Sequence, residues 1–119
     1  MRILIVEDDE RIVGFIKRGL EAEQHEVVVA LDGETGISLA ETSPFDLVLL
    51  DVYLPRMNGL EVCRHLRARY AAIPIFVMTA MDLLEIKENV IPDRRTDYLQ
   101  KPFSFEFLLS KINALCPRE

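Results

Sequence analysis

The chain has 119 residues, half of them apolar, which is enough for one domain with a single hydrophobic core. Its formal net charge of −6 disfavours direct binding to nucleic acid or to an anionic membrane surface by this domain. No apolar run is long enough for a transmembrane helix and no secretory leader begins the chain, so we expect a cytoplasmic protein whose cysteines, Cys63 and Cys116, stay reduced.

Apolar strands and amphipathic helices alternate five times along the chain. Uninterrupted apolar runs are typical of strands that are buried on both faces of a parallel sheet, and apolar residues at helical spacing mark the segments between them. The predicted strands cover residues 3–6, 26–30, 46–51, 74–78 and 97–100; the predicted helices cover about 10–23, 34–42 and 58–69, with a fourth beginning near 82 and a fifth after 104. This alternation predicts a doubly wound α/β fold.

Polar side chains stand at the ends of four predicted strands. Glu7 and Asp8 follow the first strand and Asp51 ends the third, while Thr79 and Lys101 follow the fourth and fifth. Because the carboxyl ends of parallel strands meet at one edge, where open α/β sheets bind ligands, we expect these side chains to lie close together. Three clustered carboxylates repel one another, so the cluster must raise a pKa or bind a cation, and carboxylate oxygens suit Mg²⁺.

The same cluster supports phosphoryl transfer. Asp51 would attack a phosphoryl group and become an aspartyl phosphate, and Glu7 and Asp8 would hold the metal. Lys101 would contact the phosphoryl oxygens or the Asp51 carboxylate, and Thr79 would donate its hydroxyl. Taken singly, the acids are as well explained as helix caps, and Thr79 and Lys101 as surface residues. The prediction therefore depends on their combination.

Other residues are predicted to have no part in this site. His25 lies between two elements, and His65 and Arg67 lie on the polar face of the third predicted helix, so all three are expected in solvent. Asp9, Asn58 and Ser104 are the expected N-caps of their helices. Pro92 interrupts the fourth predicted helix, which we expect to be short or deformed.

Four motifs resemble the signatures of receiver domains in two-component response regulators. They are Val6-Glu7-Asp8-Asp9, Asp51-Val52-Tyr53-Leu54-Pro55 with Met57-Asn58-Gly59, Thr79-Ala80, and Lys101-Pro102-Phe103. The similarity extends over essentially the whole chain. It implies a flavodoxin-like fold, in which a doubly wound parallel sheet of order 2-1-3-4-5 is covered by five helices and residues 1–119 form a single receiver domain.

The resemblance also implies the roles of the acidic residues. Asp51 would take a phosphoryl group from the phosphohistidine of a sensor histidine kinase, with Mg²⁺ held by Glu7, Asp8, Asp51 and the backbone carbonyl of Tyr53. Phosphoryl transfer to Asp51 and later autodephosphorylation would be catalysed by the domain itself, without turnover of an external substrate.

A second set of implied roles concerns the response. The hydroxyl of Thr79 would swing to the phosphoryl group and Tyr98 would turn inward, which would change the face formed by the fourth helix, the fifth strand and the fifth helix. The bond before Pro102 is expected to be cis. The chain looks most like the subclass that regulates transcription through a C-terminal winged-helix DNA-binding domain, an effector that is not present in this chain.

Receivers of that subclass pair through the same face, which predicts a homodimer here. Asp97, Lys87 and Lys111 match charged interface positions, but Phe107 stands where an acid is usual, so at least one salt bridge is expected to be lost. Arg94-Arg95 also replaces a small Gly-Ala pair before the fifth strand.

Three other functions compete with the phosphorylated switch. A pseudo-receiver would keep the fold and act as an interaction module without phosphorylation. A flavin or nucleotide binder would need a phosphate-binding loop after the first strand, where Glu7-Asp8-Asp9 would repel phosphate. A dehalogenase-type phosphatase would have a second aspartate two residues after Asp51, where the chain has Tyr53.

Overall fold

Five parallel strands form one sheet. The computed structural model describes residues 1–80 and 95–116. The strands are β1 Arg2–Val6, β2 Glu26–Ala30, β3 Leu47–Asp51, β4 Ile75–Thr79 and β5 Thr96–Gln100. They pair in the order β2-β1-β3-β4-β5, so the predicted sheet topology is confirmed. β1 and β3 are central strands, whereas β2 and β5 are the edges.

Four helices lie within the described residues. They are α1 Glu10–Ala22, α2 Gly33–Thr42, α3 Gly59–Arg69 and α4 Phe105–Leu115. The helix predicted to begin near residue 82, with Pro92 inside it, falls outside the described residues. Asp9, Asn58 and Ser104 cap α1, α3 and α4 as predicted, each accepting a backbone N–H of the first turn.

The core has two halves, one on each face of the sheet. Side chains alternate between the faces along each strand, so Leu4 and Val6 of β1 pack toward α2 and α3, whereas Ile3 and Ile5 pack toward α1 and α4. All five residues of β3 are buried. Burial on both faces explains why these strands have no polar alternation, and it fixes the position of their carboxyl ends.

Two polar side chains that the sequence predicts to be exposed to solvent are buried or half-buried in the structure. His25 is only 4% exposed, and its Nδ1 lies 3.1 Å from the N-terminal amino group of Met1. Gln24 adopts a left-handed φ of 68°, which reverses the chain after α1 and directs His25 inward. Arg67 is half-buried, and its guanidinium donates to carbonyl groups of the loop after α3. His65 is exposed as predicted, 3.6 Å from Glu41.

The helices in residues 1–80 and 95–116 do not reach both the length and the apolarity that a membrane span requires. Within those ranges, every helix is too short or too polar to span a bilayer. Cys63 and Cys116 are not joined in a disulfide.

Candidate functional site

The acids after β1 take three different positions. Glu7 is completely buried, and its Oε2 accepts the backbone N–H groups of Asp8 and Asp9 at 3.0 and 3.3 Å. Asp8 is exposed. Asp9 instead caps α1, where its Oδ1 accepts from the backbone N–H groups of Arg11 and Ile12 at 2.9 and 3.4 Å. The backbone therefore divides the acidic run into one buried carboxylate, one exposed carboxylate and one helix cap.

Asp51 ends β3 beneath the start of α3. Its side chain is almost fully buried, and Gly59, the first residue of α3, packs against the Asp51 backbone. A Cβ on Gly59 would overlap the carbonyl oxygen of Asp51 and would lie 2.7 Å from Cα of Val52. The Gly59 N–H also donates to the Val52 carbonyl at 2.8 Å. Only glycine permits this close approach, so the Asn58-Gly59 pair both begins the helix and fixes the strand end.

Lys101 bridges the two buried acids. Its Nζ donates to Glu7 Oε1 at 2.7 Å and to Asp51 Oδ1 at 3.2 Å. The Lys101 backbone is held at the end of β4, where its N–H donates to the Thr79 carbonyl at 2.6 Å. The Lys101–Pro102 peptide bond is cis. A cation from the edge of the sheet thus reaches carboxylates on both central strands.

The other predicted site residues lie around this cluster at different depths. Thr79 is fully buried at the end of β4, directly after Met78, which pairs with Asp51. Tyr98 of β5 is half-buried and packs against the core half that faces α2 and α3. Tyr53 lies just beyond β3 and is 57% exposed. Thr79 therefore lies one residue beyond the partner of Asp51 in β4, Tyr53 is exposed beyond the end of β3, and Tyr98 belongs to the packing of the edge strand.

Burial and charge shift two pKa values in the cluster. Burial raises the pKa of Glu7, the hydrogen bond from Lys101 opposes this rise, and the nearby Asp51 carboxylate adds to it, so the pKa ends above its usual value. Burial lowers the pKa of Lys101, but the hydrogen bond to Glu7 and the charge of Asp51 outweigh burial, so the pKa ends above its usual value. Burial is thus the largest cause of the rise at Glu7, whereas the rise at Lys101 reflects the two carboxylates beside it.

The acidic residues fit a hard divalent cation. Carboxylate oxygens of Glu7, Asp8 and Asp51 all lie within 4.8 Å of one another. All three are oxygen donors, which is the ligand type that Mg²⁺ prefers, and the exposure of Asp8 leaves room for the water ligands that Mg²⁺ retains. The donor chemistry of the cluster therefore matches the metal predicted from the sequence.

An apolar rim borders the cluster. A cleft of about 260 Å³ lies beside the polar site and is lined by Ile12, Phe15, Lys101, Pro102 and Phe103. Phe15 and Leu31 are both exposed.

A second exposed apolar group lies away from the site, on α4. Phe107 is 48% exposed, and Lys111 Nζ lies 5.7 Å from the centre of its ring. Lys111 also pairs with Asp97 of β5 at 3.5 Å within the same chain. Lys87, the third charged residue expected on this face, falls outside the described residues.

Sequence analysis missed two contributions to the site. It interprets Gly59 only as a turn residue, although its contact with Asp51 orients the strand end. It also overlooks the backbone N–H groups of Asp8 and Asp9, which hold the Glu7 carboxylate. The Asn58-Gly59 pair close after a buried strand is a sequence signal for the contact between Gly59 and Asp51. The hydrogen bonds to Glu7, in contrast, depend on a loop conformation that the sequence does not specify.

Both the sequence and the fold of this chain match known proteins over nearly the whole length of the chain. The profile of the response regulator receiver domain matches residues 3–113. The response regulator ArlR of Staphylococcus saprophyticus is 39% identical over 118 residues, which is 99% of this chain and 53% of that protein. The chain thus spans about half the length of this curated relative.

Two solved structures show the same fold. The response regulator TrrA of Thermotoga maritima, in complex with Mg²⁺ and BeF, has a TM-score of 0.83 and 29% identity, with 96% of this chain and 97% of that chain covered. The receiver domain of the sensor histidine kinase PA1611 of Pseudomonas aeruginosa, with a magnesium ion coordinated in its active site cleft, has a TM-score of 0.85 and 28% identity, with 96% and 95% covered. Given the extent of these matches, this chain belongs to the family of response regulator receiver domains.

Proposed function

We propose that the domain is a phosphorylation-dependent switch in which Asp51 accepts a phosphoryl group from the phosphohistidine of a sensor histidine kinase. One observation carries the proposal. Oxygens of Glu7, Asp8 and Asp51 lie within 4.8 Å of one another, and Lys101 Nζ contacts two of these acids at 2.7 and 3.2 Å. A nucleophilic carboxylate, a set of metal ligands and a fixed cation therefore share one pocket.

The reaction needs only a few groups. A carboxylate oxygen of Asp51 attacks the phosphorus, a P–O bond forms, and the P–N bond to the imidazole of the donor breaks with its electron pair left on nitrogen. In the second half of the cycle, water attacks the phosphorus, the P–O bond to Asp51 breaks with its electron pair left on the carboxylate, and inorganic phosphate is released. Both steps are catalysed within the domain by positioning and electrostatics.

The residues of the pocket have separate roles in these steps. Glu7, Asp8, Asp51 and the backbone carbonyl of Tyr53 would hold Mg²⁺, which when bound offsets the negative charge of the acids and of the phosphoryl group. Lys101 already contacts Asp51 and would follow the phosphoryl oxygens as a compact cation. The buried hydroxyl of Thr79 would donate to the same oxygens.

The response passes to the face that includes β5 and α4. Thr79 moves toward the phosphoryl group and Tyr98 turns further inward, and the altered face controls an output. The half-buried position of Tyr98 on the edge strand and the exposed ring of Phe107 on α4 support this route. Residues 1–119 form the receiver, and a covalently linked DNA-binding domain outside this chain would convert the switch into control of transcription. A homodimer through this face would bury Phe107.

Phosphoryl uptake is the direct test. The domain is incubated with Mg²⁺ and acetyl phosphate, and its intact mass is measured before and after. We expect the mass of one phosphoryl group to be added to the wild type and to Asp46→Asn, but not to Asp51→Asn. Asp46 is the matched control because it directly precedes β3 at the opposite edge of the sheet. No uptake by the wild type would favour a pseudo-receiver, and uptake by Asp51→Asn at that position would overturn the acceptor assignment.

A further inference from the structure

Arg67 joins α3 to the beginning of β5. Its Nη1 donates to the carbonyl groups of Tyr70, Ala71 and Ile73 at 3.2, 3.1 and 2.6 Å. Its Nη2 donates to the Arg95 carbonyl at 3.2 Å and to Thr96 Oγ1 at 2.7 Å. One guanidinium therefore holds the loop after α3 and the first residues of β5 together. The planar group, with its fixed set of donors, is suited to this task, whereas a lysine would supply only a point charge.

The position of β5 in the sheet makes this contact important. β5 is an edge strand that pairs with β4 alone. At its beginning, the Arg95 carbonyl accepts from the Ile75 N–H at 2.9 Å as well as from Arg67. At its far end, Lys101 N–H donates to Thr79, and the Lys101 side chain enters the acidic pocket. The beginning of the strand is thus fixed to a helix, while the end depends on groups whose charge changes on phosphorylation.

α3 also touches the acceptor strand. Its first residue, Gly59, packs on the backbone of Asp51, and Arg67 lies in its last turn. A helix of 11 residues is about 16 Å long and resists bending, so it holds these two contacts at a fixed separation. The end of β3 and the start of β5 are therefore linked through α3 as well as through the sheet.

We propose that Arg67 is a positioning residue that clamps the beginning of β5 to α3 and thereby confines the movement of β5 to the end that carries Lys101. This inference rests on the proposed function, because phosphorylation of Asp51 supplies the change in charge to which Lys101 responds. It assigns a role in the response to a side chain that touches neither the metal ligands nor the phosphoryl group.

Hydrogen exchange of backbone amides tests the clamp in the metal-free protein. Arg67→Ala should accelerate exchange in β5 by about tenfold relative to β1, since contacts to a charged group are lost. Arg67→Lys and Thr96→Val should give smaller increases. The matched control is Arg69→Ala, because Arg69 lies in the same last turn of α3 but pairs with Glu41 at 3.0 Å. Its β5 exchange should equal that of the wild type.

Beryllofluoride with Mg²⁺, a mimic of the phosphoryl group, tests the confinement of movement. In the wild type and Arg69→Ala, the change in exchange should be restricted to the end of β5 near Lys101, whereas in Arg67→Ala it should extend to Thr96. The midpoint of Mg²⁺ binding should be unchanged in all variants. Uniform acceleration of β1 and β5 in Arg67→Ala would show a loss of global stability only and would overturn the proposal.

The two proposals fail in different ways. If the wild type forms no beryllofluoride adduct, the proposed function fails, while the metal-free exchange still decides whether Arg67 clamps β5. If the adduct forms and the exchange patterns of wild type and Arg67→Ala are the same, the clamp is wrong and the switch stands. If Arg67→Ala does not fold, Arg67→Lys and Thr96→Val decide the question by the same comparison of β5 with β1.

Discussion

Replacement of Gly59 by alanine tests how the acceptor strand is positioned. The new Cβ would overlap the Asp51 carbonyl oxygen and would lie 2.7 Å from both the Asp51 carbonyl carbon and Cα of Val52. All three are backbone atoms in a buried strand end, so they cannot rotate away as a flexible side chain would. Overpacking of a core costs about 1–3 kcal/mol, and we place this substitution at the upper limit, about 3 kcal/mol.

Gly14→Ala provides the matched control. Gly14 lies in α1, and the nearest atom to an added Cβ is Nη1 of Arg18, the far end of a flexible side chain at 4.0 Å. Alanine is a better helix former than glycine, so this variant should be more stable by about 0.5–1 kcal/mol. The same chemical change is therefore expected to have opposite effects in two helices of one domain.

Thermal unfolding measures both effects. For a domain of this size, 1 kcal/mol corresponds to roughly 3–5 °C in Tm, so we expect Tm to fall by roughly 10–15 °C in Gly59→Ala and to rise by roughly 2–5 °C in Gly14→Ala. Phosphoryl uptake at a temperature where Gly59→Ala is folded should also be slower than in Gly14→Ala, because Asp51 is displaced. A Tm of Gly59→Ala within about 2 °C of the wild type would refute this account of the strand end.

Other predictions concern the acids and the lysine. Asp8→Ala should abolish the rise in Tm on addition of Mg²⁺ and have little effect on the stability of the metal-free protein. Asp9→Ala should lose about 1 kcal/mol of stability and keep the rise in Tm with Mg²⁺. The reverse pattern in thermal denaturation with and without Mg²⁺ would contradict the assignment of Asp8 as a ligand and Asp9 as a cap. The raised pKa of Glu7 means that the folded state binds a proton more readily than the unfolded chain, so the stability due to Glu7 is present below pH 4.5 and falls as the pH rises through the raised pKa. Without Mg²⁺, Tm measured against pH should show this fall in the wild type, and Glu7→Gln should remove it. The same dependence of Tm on pH in both proteins would contradict the raised pKa of Glu7. Lys101→Ala should weaken the spectroscopic response to beryllofluoride more than it weakens Mg²⁺ binding, and an unchanged response would count against its contact with the phosphoryl group.

The sequence predicts the sheet because its strands are apolar without interruption. The run of residues 46–51 has no polar alternation, and the structure buries every residue of β3. Parallel pairing then brings Glu7, Asp51 and Lys101 to one edge without any knowledge of side-chain conformation. The sequence therefore predicts that these three side chains lie near one another, but not the distances between their charged atoms.

Polar residues that depend on distant parts of the chain were predicted wrongly. Arg67 lies at a helical position that favours solvent, but its partner Thr96 is 29 residues further along the chain and reaches it only after β5 has joined the sheet. His25 follows a left-handed residue whose conformation does not follow from local propensity. The cap role of Asp9 was predicted correctly, whereas the hydrogen bonds that hold Glu7 depend on which backbone N–H groups the loop presents.

The order of the strands makes the two sides of the pocket differ in freedom of movement. Glu7 directly follows β1 and Asp51 ends β3, and each of these strands has a neighbour on both sides, whereas Lys101 follows β5, which has a neighbour on one side only. When the charge in the pocket changes, the carboxylates have little freedom to adapt and the ammonium has more. Readjustment should therefore start on the lysine side and travel outward from the sheet, which gives the signal a direction that the geometry of the acids alone would not provide.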